Sequence, residues 1–222
     1  MPELPEVETI RLGLEEYLSG KKLEKVELKL PKIVLAGSLN DLIGSQVMSI
    51  RRFGKVLVLD FDNNHSMVVH IKLTGQLVLG EVPQVSRVSR AKVGTLPNRW
   101  THLILRFSNG TKLYYNDLRQ FGWIRVLPTE SVEHFLLDQR KIGGVGNIYA
   151  NDALFLAKID PQRPAKTLSS EEIIKLYEAL LEVLKRGLKY GGASELSYVN
   201  ALGEEGDYQK HFLVLRTKRQ AL

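Results

Sequence analysis

The chain has 222 residues, is 44% hydrophobic, contains no cysteine and carries a formal net charge of +6 at neutral pH. That is enough apolar material for one large or two small domains, and the lack of cysteine excludes disulfides, thiol nucleophiles, iron–sulfur clusters and cysteine-based zinc sites within these residues. No apolar run reaches the length of a bilayer span and the acidic start Met1-Pro2-Glu3 is unlike a signal peptide, so the expected location is cytoplasmic; the basic balance suits a polyanion such as nucleic acid, or solubility alone.

Val7, Ile10, Leu14, Tyr17 and Leu18 recur at helical spacing, which predicts an amphipathic first helix ending near Gly20. From Leu23 to about Leu127 the pattern becomes short β-type runs: LEKVELKL, VLVLDF, MVVHIKL, HLILRF, KLYYND and WIRVL. Asp62-Asn63-Asn64 and Ser108-Asn109-Gly110 read as hairpin turns, so an antiparallel sandwich or barrel is expected. Pro128 and the polar stretch after it mark a linker. Beyond it Ile173, Ile174, Tyr177, Leu180, Leu181, Leu184 and Leu188 form an apolar helical stripe, capped at Ser169/Ser170 and stopped at Gly191-Gly192. The expected class is α+β: a β-rich domain over 1–127 with an N-terminal helix, then a helical domain over 128–222.

The sharpest chemistry lies at the start. A small second residue permits removal of Met1, and the amine then exposed at Pro2 would titrate near pH 8. Such a group is substantially unprotonated at physiological pH, unlike a lysine, and can attack a sugar carbon to give an iminium. Glu3, adjacent by covalent necessity, can act as general acid on the sugar ring oxygen or the leaving group. Pro5, Glu6 and Glu8 also suit an ordinary helix N-terminus. Further on, Lys55 beside Gly54 in Arg51-Arg52-Phe53-Gly54-Lys55 can hold a phosphate as a point charge. Gly143-Gly144-Val145-Gly146-Asn147 permits a tight turn before a helix whose free N–H groups suit an anion.

Five segments in order resemble the bacterial-type formamidopyrimidine-DNA glycosylase and endonuclease VIII family: Met1–Glu8, Arg51–Lys55, Val69–Gln76, Asn116–Trp123 and Leu137–Asp152. The stretch Gly191–Val214 follows the family too. The resemblance implies a bifunctional DNA glycosylase and AP lyase that removes oxidised purines from double-stranded DNA and cleaves at abasic sites. It implies Pro2 as nucleophile, Glu3 as proton donor, Glu6 in support and Lys55 on the lesion phosphate, aiding elimination. Leu73 becomes the wedge that fills the gap left by an everted base, a device needed because the glycosidic bond is out of reach within the stack. His70 becomes a phosphate contact or a satisfied half-buried histidine. Arg119 is expected to bond the orphaned opposite base with Phe121 stacked beside it, Trp100 to contact DNA, and Asn147 to hold the phosphodiester from a helix–two-turn–helix.

Two departures from the family pattern stand out. After His211-Phe212-Leu213-Val214 the family continues with a four-cysteine zinc hairpin, whereas this sequence reads Leu215 and then RTKRQAL. No zinc or other cofactor is therefore expected, and DNA affinity and the final elimination should be the functions most reduced. The segment from Pro128 to Phe135 is also shorter than the family's. A monomer is expected. The alternatives are a catalytically weakened DNA-binding remnant, or an unrelated basic domain for RNA or protein.

Overall fold

The computed structural model describes residues 1–81, 92–132, 143–195 and 197–214. Helix α1, Leu4–Leu18, follows the expected periodicity, with Val7, Ile10, Leu14 and Leu18 buried and Pro5 in the first turn, where a missing N–H costs nothing. The Glu3 N–H donates to the Glu6 carboxylate at 2.6 Å, fixing the helix entry. Gly20, at φ 74°, turns the chain away.

Among the described residues nine strands form two packed sheets. One sheet has the order β1 (Leu23–Leu28), β7 (Thr101–Phe107), β8 (Lys112–Asp117), β6 (Gly75–Gly80); the other runs β2 (Val34–Ala36), β9 (Trp123–Pro128), β5 (His65–His70), β4 (Val56–Phe61), β3 (Val47–Phe53). All neighbours are antiparallel except β2 and β9. Leu57, Leu59, Met67 and Val69 of one sheet meet Leu77, Leu79, Leu103 and Leu105 of the other, with α1 closing the same core. The outer face of β4 is covered as well, Val56 and Val58 packing with Val68 and Val132. That is why VLVLDF reads as an unbroken apolar run rather than an alternation.

The six sequence runs all become strands, but β2, β3 and β6 carried weaker signals. In β3 the apolar pattern is broken by Arg51 and Arg52; the basic cluster ends that strand at Phe53, and Gly54-Lys55 form the turn into β4. β6 is short and bounded by Gly75 and Gly80, where a Cβ would stand 2.3 Å from the Ile71 carbonyl oxygen and 2.6 Å from the Tyr114 ring.

The helical part contains α2, Asn147–Ala157, and α3, Ser170–Lys189. Ser169 caps α3 in a capping box with Glu172, and Gly191 and Gly192, at φ 68° and 84°, end it. The apolar stripe needs correcting: Ile173, Ile174 and Tyr177 are 53, 57 and 62% exposed. The face that packs instead runs through Leu176, Ala179, Leu180, Val183 and Leu184 against Tyr149 and Ala153 of α2. Small residues permit this close approach. A Cβ at Gly187 would lie 2.5 Å from Tyr149 and 2.8 Å from Pro5, so α1, α2 and α3 converge there. Among the described residues no helix is long and apolar enough to cross a membrane. The segment Leu137–Ile142, expected to open the helix–two-turn–helix, and the basic tail lie outside the described residues.

Candidate active site and nucleic-acid interface

The first six residues are held by both halves of the molecule. Pro2 is buried and lines a pocket of about 40 Å³ together with Met1, Glu6, Leu73, Ile148, Ala193, Glu195 and Tyr198. The Glu3 carboxylate, only 4% exposed, accepts the N–H groups of Gly146 at 2.8 Å, Ile148 at 3.1 Å and Tyr149 at 3.5 Å. It therefore sits on the positive end of α2, where free amide protons and the helix dipole favour an anion. Leu4 completes the junction by donating its N–H to the Gly144 carbonyl at 2.9 Å.

Glu6 is buried and accepts three hydrogen bonds: the Tyr149 hydroxyl at 2.7 Å, the Ala193 N–H at 2.8 Å and the Glu3 N–H. Burial pushes its pKa above the ordinary 4.5 even though these donors, and chiefly Ala193, pull the other way. The Tyr149 hydroxyl is in turn held far above the usual tyrosine range by burial and by the charge of Glu6. Gly192, where a Cβ would come within 2.8 Å of Glu6, lets the backbone pass close enough for the Ala193 bond.

The basic cluster divides. Arg51 grips Asp60 with two bonds of 2.6 and 2.9 Å, and Arg52 pairs with Glu8 at 2.7 Å. Lys55 alone of the three turns to the glycine-rich loop, donating to the Val145 carbonyl at 3.3 Å. Asn147, the first residue of α2, is exposed, and among the described residues its side chain has no hydrogen-bond partner. Both groups flank the loop that carries the Glu3 contacts.

His70 accepts the Lys72 N–H on Nδ1 at 3.0 Å, which leaves Nε2 to carry the ring proton. Its pKa is lowered to about 4, first by burial and then by Lys72 and Lys55. A histidine with a depressed folded pKa contributes stability that is complete above its unfolded value near 6.5 and is lost as pH falls through about 4. Urea unfolding between pH 7 and pH 4 should accordingly show wild type losing stability relative to His70→Gln; parallel curves would mean that the ring titrates alike in the folded and the unfolded chain.

Leu73 reaches the same pocket as Pro2. Arg119 and Phe121 are exposed on the turn after β8, with the guanidinium 5.6 Å from the ring centre. Trp100 is half-buried, covered by Arg99 at 4.4 Å, and belongs to the foot of the Arg119 turn, its carbonyl accepting the Asp117 N–H at 3.0 Å. It does not line the pocket at Pro2.

Models of the formamidopyrimidine-DNA glycosylase N-terminal domain and of that enzyme's H2TH domain match residues 1–124 and 125–198. The chain belongs to the formamidopyrimidine-DNA glycosylase family. It is 32% identical to the formamidopyrimidine-DNA glycosylase of Pelotomaculum thermopropionicum over 96% of this chain and 87% of that one. With its Streptococcus mutans relative the identity is 33%, over 94% and 86%. A Lactococcus lactis Fpg bound to DNA containing N7-benzyl-Fapy-dG superimposes with a TM-score of 0.80 at 28% identity, covering 95% of this chain and 87% of that one. The same glycosylase with abasic-site DNA gives 0.78 at 27%, covering 95% and 86%.

Within this glycosylase family the zinc hairpin needs four cysteines. Residues 1–222 contain none, and among the described residues no cluster of three or more His, Asp or Glu could hold a metal. The donor set does not fit zinc. Sequence reasoning also missed Tyr149, Asp117 and Thr74 as individual residues, although all three lie within the matched segments. Their partners are distant in sequence, and only the resemblance of the segments to the family hinted at them.

Proposed function

We propose that this glycosylase removes oxidised purines from double-stranded DNA and cleaves the strand at the abasic site, with Pro2 as the nucleophile. The observation that carries the reading is the position of Pro2 in a pocket shared with Leu73 and the Ala193 loop, at the junction of both halves. Met1 is 43% exposed, which suits its removal. The freed nitrogen attacks C1′, the glycosidic bond breaks and the base leaves with the bonding pair, taking a proton from solvent. Glu3 takes the proton that the amine gives up and delivers it to the sugar ring oxygen, which opens the ring and leaves an iminium. Loss of a C2′ proton then expels the 3′ phosphate, and water releases the enzyme.

The other roles follow from position. Glu6 holds the backbone of Glu3; Lys55, His70 and Asn147 bind backbone phosphates around the glycine-rich loop. Leu73 fills the gap in the stack, and Arg119 with Phe121 engages the base left behind. Trp100 supports that turn. The reaction is assigned to the terminal nitrogen of Pro2 and to side chains of the same chain, with no cofactor, in a monomer working in the cytoplasm.

The decisive test is borohydride reduction during incubation with an abasic-site duplex at low salt, where phosphate contacts are strongest. A covalent adduct mapping to Pro2 is expected. No adduct, under conditions where a family member of known activity cross-links, rules the reading out.

A further inference from the structure

Two loops leave the same end of the sandwich. Residues 71–74 join β5 to β6 and carry Leu73; residues 118–122 join β8 to β9 and carry Arg119 and Phe121. One buried side chain ties them together. Asp117, the last residue of β8, is fully buried. One of its carboxylate oxygens accepts the Thr74 hydroxyl and, at 3.2 Å, the Arg119 N–H. The other accepts the Gly122 N–H at 2.8 Å and the Tyr115 hydroxyl at 3.3 Å. The Thr74 oxygen also accepts the Arg119 N–H, at 2.9 Å, so the hydroxyl donates into one loop's anchor while receiving from its backbone.

The Arg119 and Gly122 amides with Tyr115 would suffice to close the second turn. Thr74 comes from the other loop, 43 positions earlier in the chain. A hydrogen bond to a buried charged group, shielded from water, is among the stronger ones a protein makes, so the two loops are fixed to each other and not merely adjacent. The first loop is further pinned where the Ser197 hydroxyl meets the Leu73 carbonyl at 3.3 Å.

We infer that Thr74 and Asp117 are positioning residues that lock the Leu73 loop to the Arg119 loop, so that insertion of the wedge and contact with the opposite base occur as one event. This rests on the roles proposed above for Leu73 and Arg119. Its consequence concerns selectivity. Were the loops independent, Arg119 could shift to suit whichever base it met; locked to an inserted wedge, it cannot, and a poorly matched opposite base is discriminated against.

Thr74→Val removes the hydroxyl while keeping the side-chain shape, and leaves Asp117 its other three donors. Thr74→Ser restores the hydroxyl. Two measurements are needed: the ratio of kcat/KM values for duplexes that differ only in the base opposite the lesion, and the yield of borohydride adduct on an abasic duplex. Thr74→Val is expected to bring the ratios toward unity by up to about tenfold, the value of one charge-assisted hydrogen bond, with the adduct yield unchanged. Thr74→Ser should keep the wild-type ratios. The inference is overturned if Thr74→Val keeps them too, if ratio and adduct fall together as a damaged fold would require, or if wild type treats all opposite bases alike. Failure of wild type to form any adduct is a different result, which removes the underlying catalytic assignment as well.

Discussion

Glu3→Gln is expected to slow base excision by about 10²- to 10⁴-fold, the range over which a positioned proton carrier acts. Cleavage at a pre-formed abasic site should suffer much less, because its open-chain aldehyde has no ring oxygen left to protonate before Pro2 can attack it. The two rates are separable by comparing a lesion duplex with an abasic duplex in single-turnover experiments. Part of the loss will be positional. The carboxylate accepts the N–H groups of Gly146, Ile148 and Tyr149, and a glutamine amide turned toward them presents a donor to donors. Unfolding experiments on the same variant isolate that part. Equal losses on both substrates would contradict proton transfer as the role of Glu3.

Glu6→Ala should cost about 3–5 kcal/mol of stability, because it strands the Tyr149 hydroxyl and the Ala193 and Glu3 amides in a buried site. Glu6→Gln should cost less, since its oxygen still accepts from two of them. The pH dependence has a definite sign. Burial raises the folded pKa of Glu6 above 4.5, so the stability it contributes is complete below that value and is lost as pH rises through the folded one. Glutamine does not titrate. In urea unfolding across this range the advantage of wild type over Glu6→Gln should therefore be widest at the acid end and shrink upward. A constant difference would mean that Glu6 titrates alike in the folded and the unfolded chain.

Much of this was legible in the sequence because the signals are local. The periodicity of α1, the hairpin turns at Asn64 and Gly110, and the Ser169 cap each depend on a few neighbouring residues. The resemblance, resting on whole segments, reached the family. What escaped depends on contacts across the chain. Arg51 and Arg52 read as free cations until Asp60 and Glu8 are brought beside them. The packed face of α3 runs through Ala179 and Gly187, residues that a hydrophobic ranking passes over because their value lies in being small. Tyr149 and Glu6 are 143 positions apart, and nothing in either neighbourhood announces the other.

The anchoring of α1 to both halves has a mechanical corollary. Glu3 holds the start of α2, Glu6 holds Ala193, and Pro5 abuts Gly187, while the rest of α1 is embedded in the sandwich. Any swing of the helical part over bound DNA would thus turn about the amino end of the polypeptide. The outer loops would sweep through the largest arcs, and the nitrogen assigned to the chemistry would sit near the axle, where displacement is least.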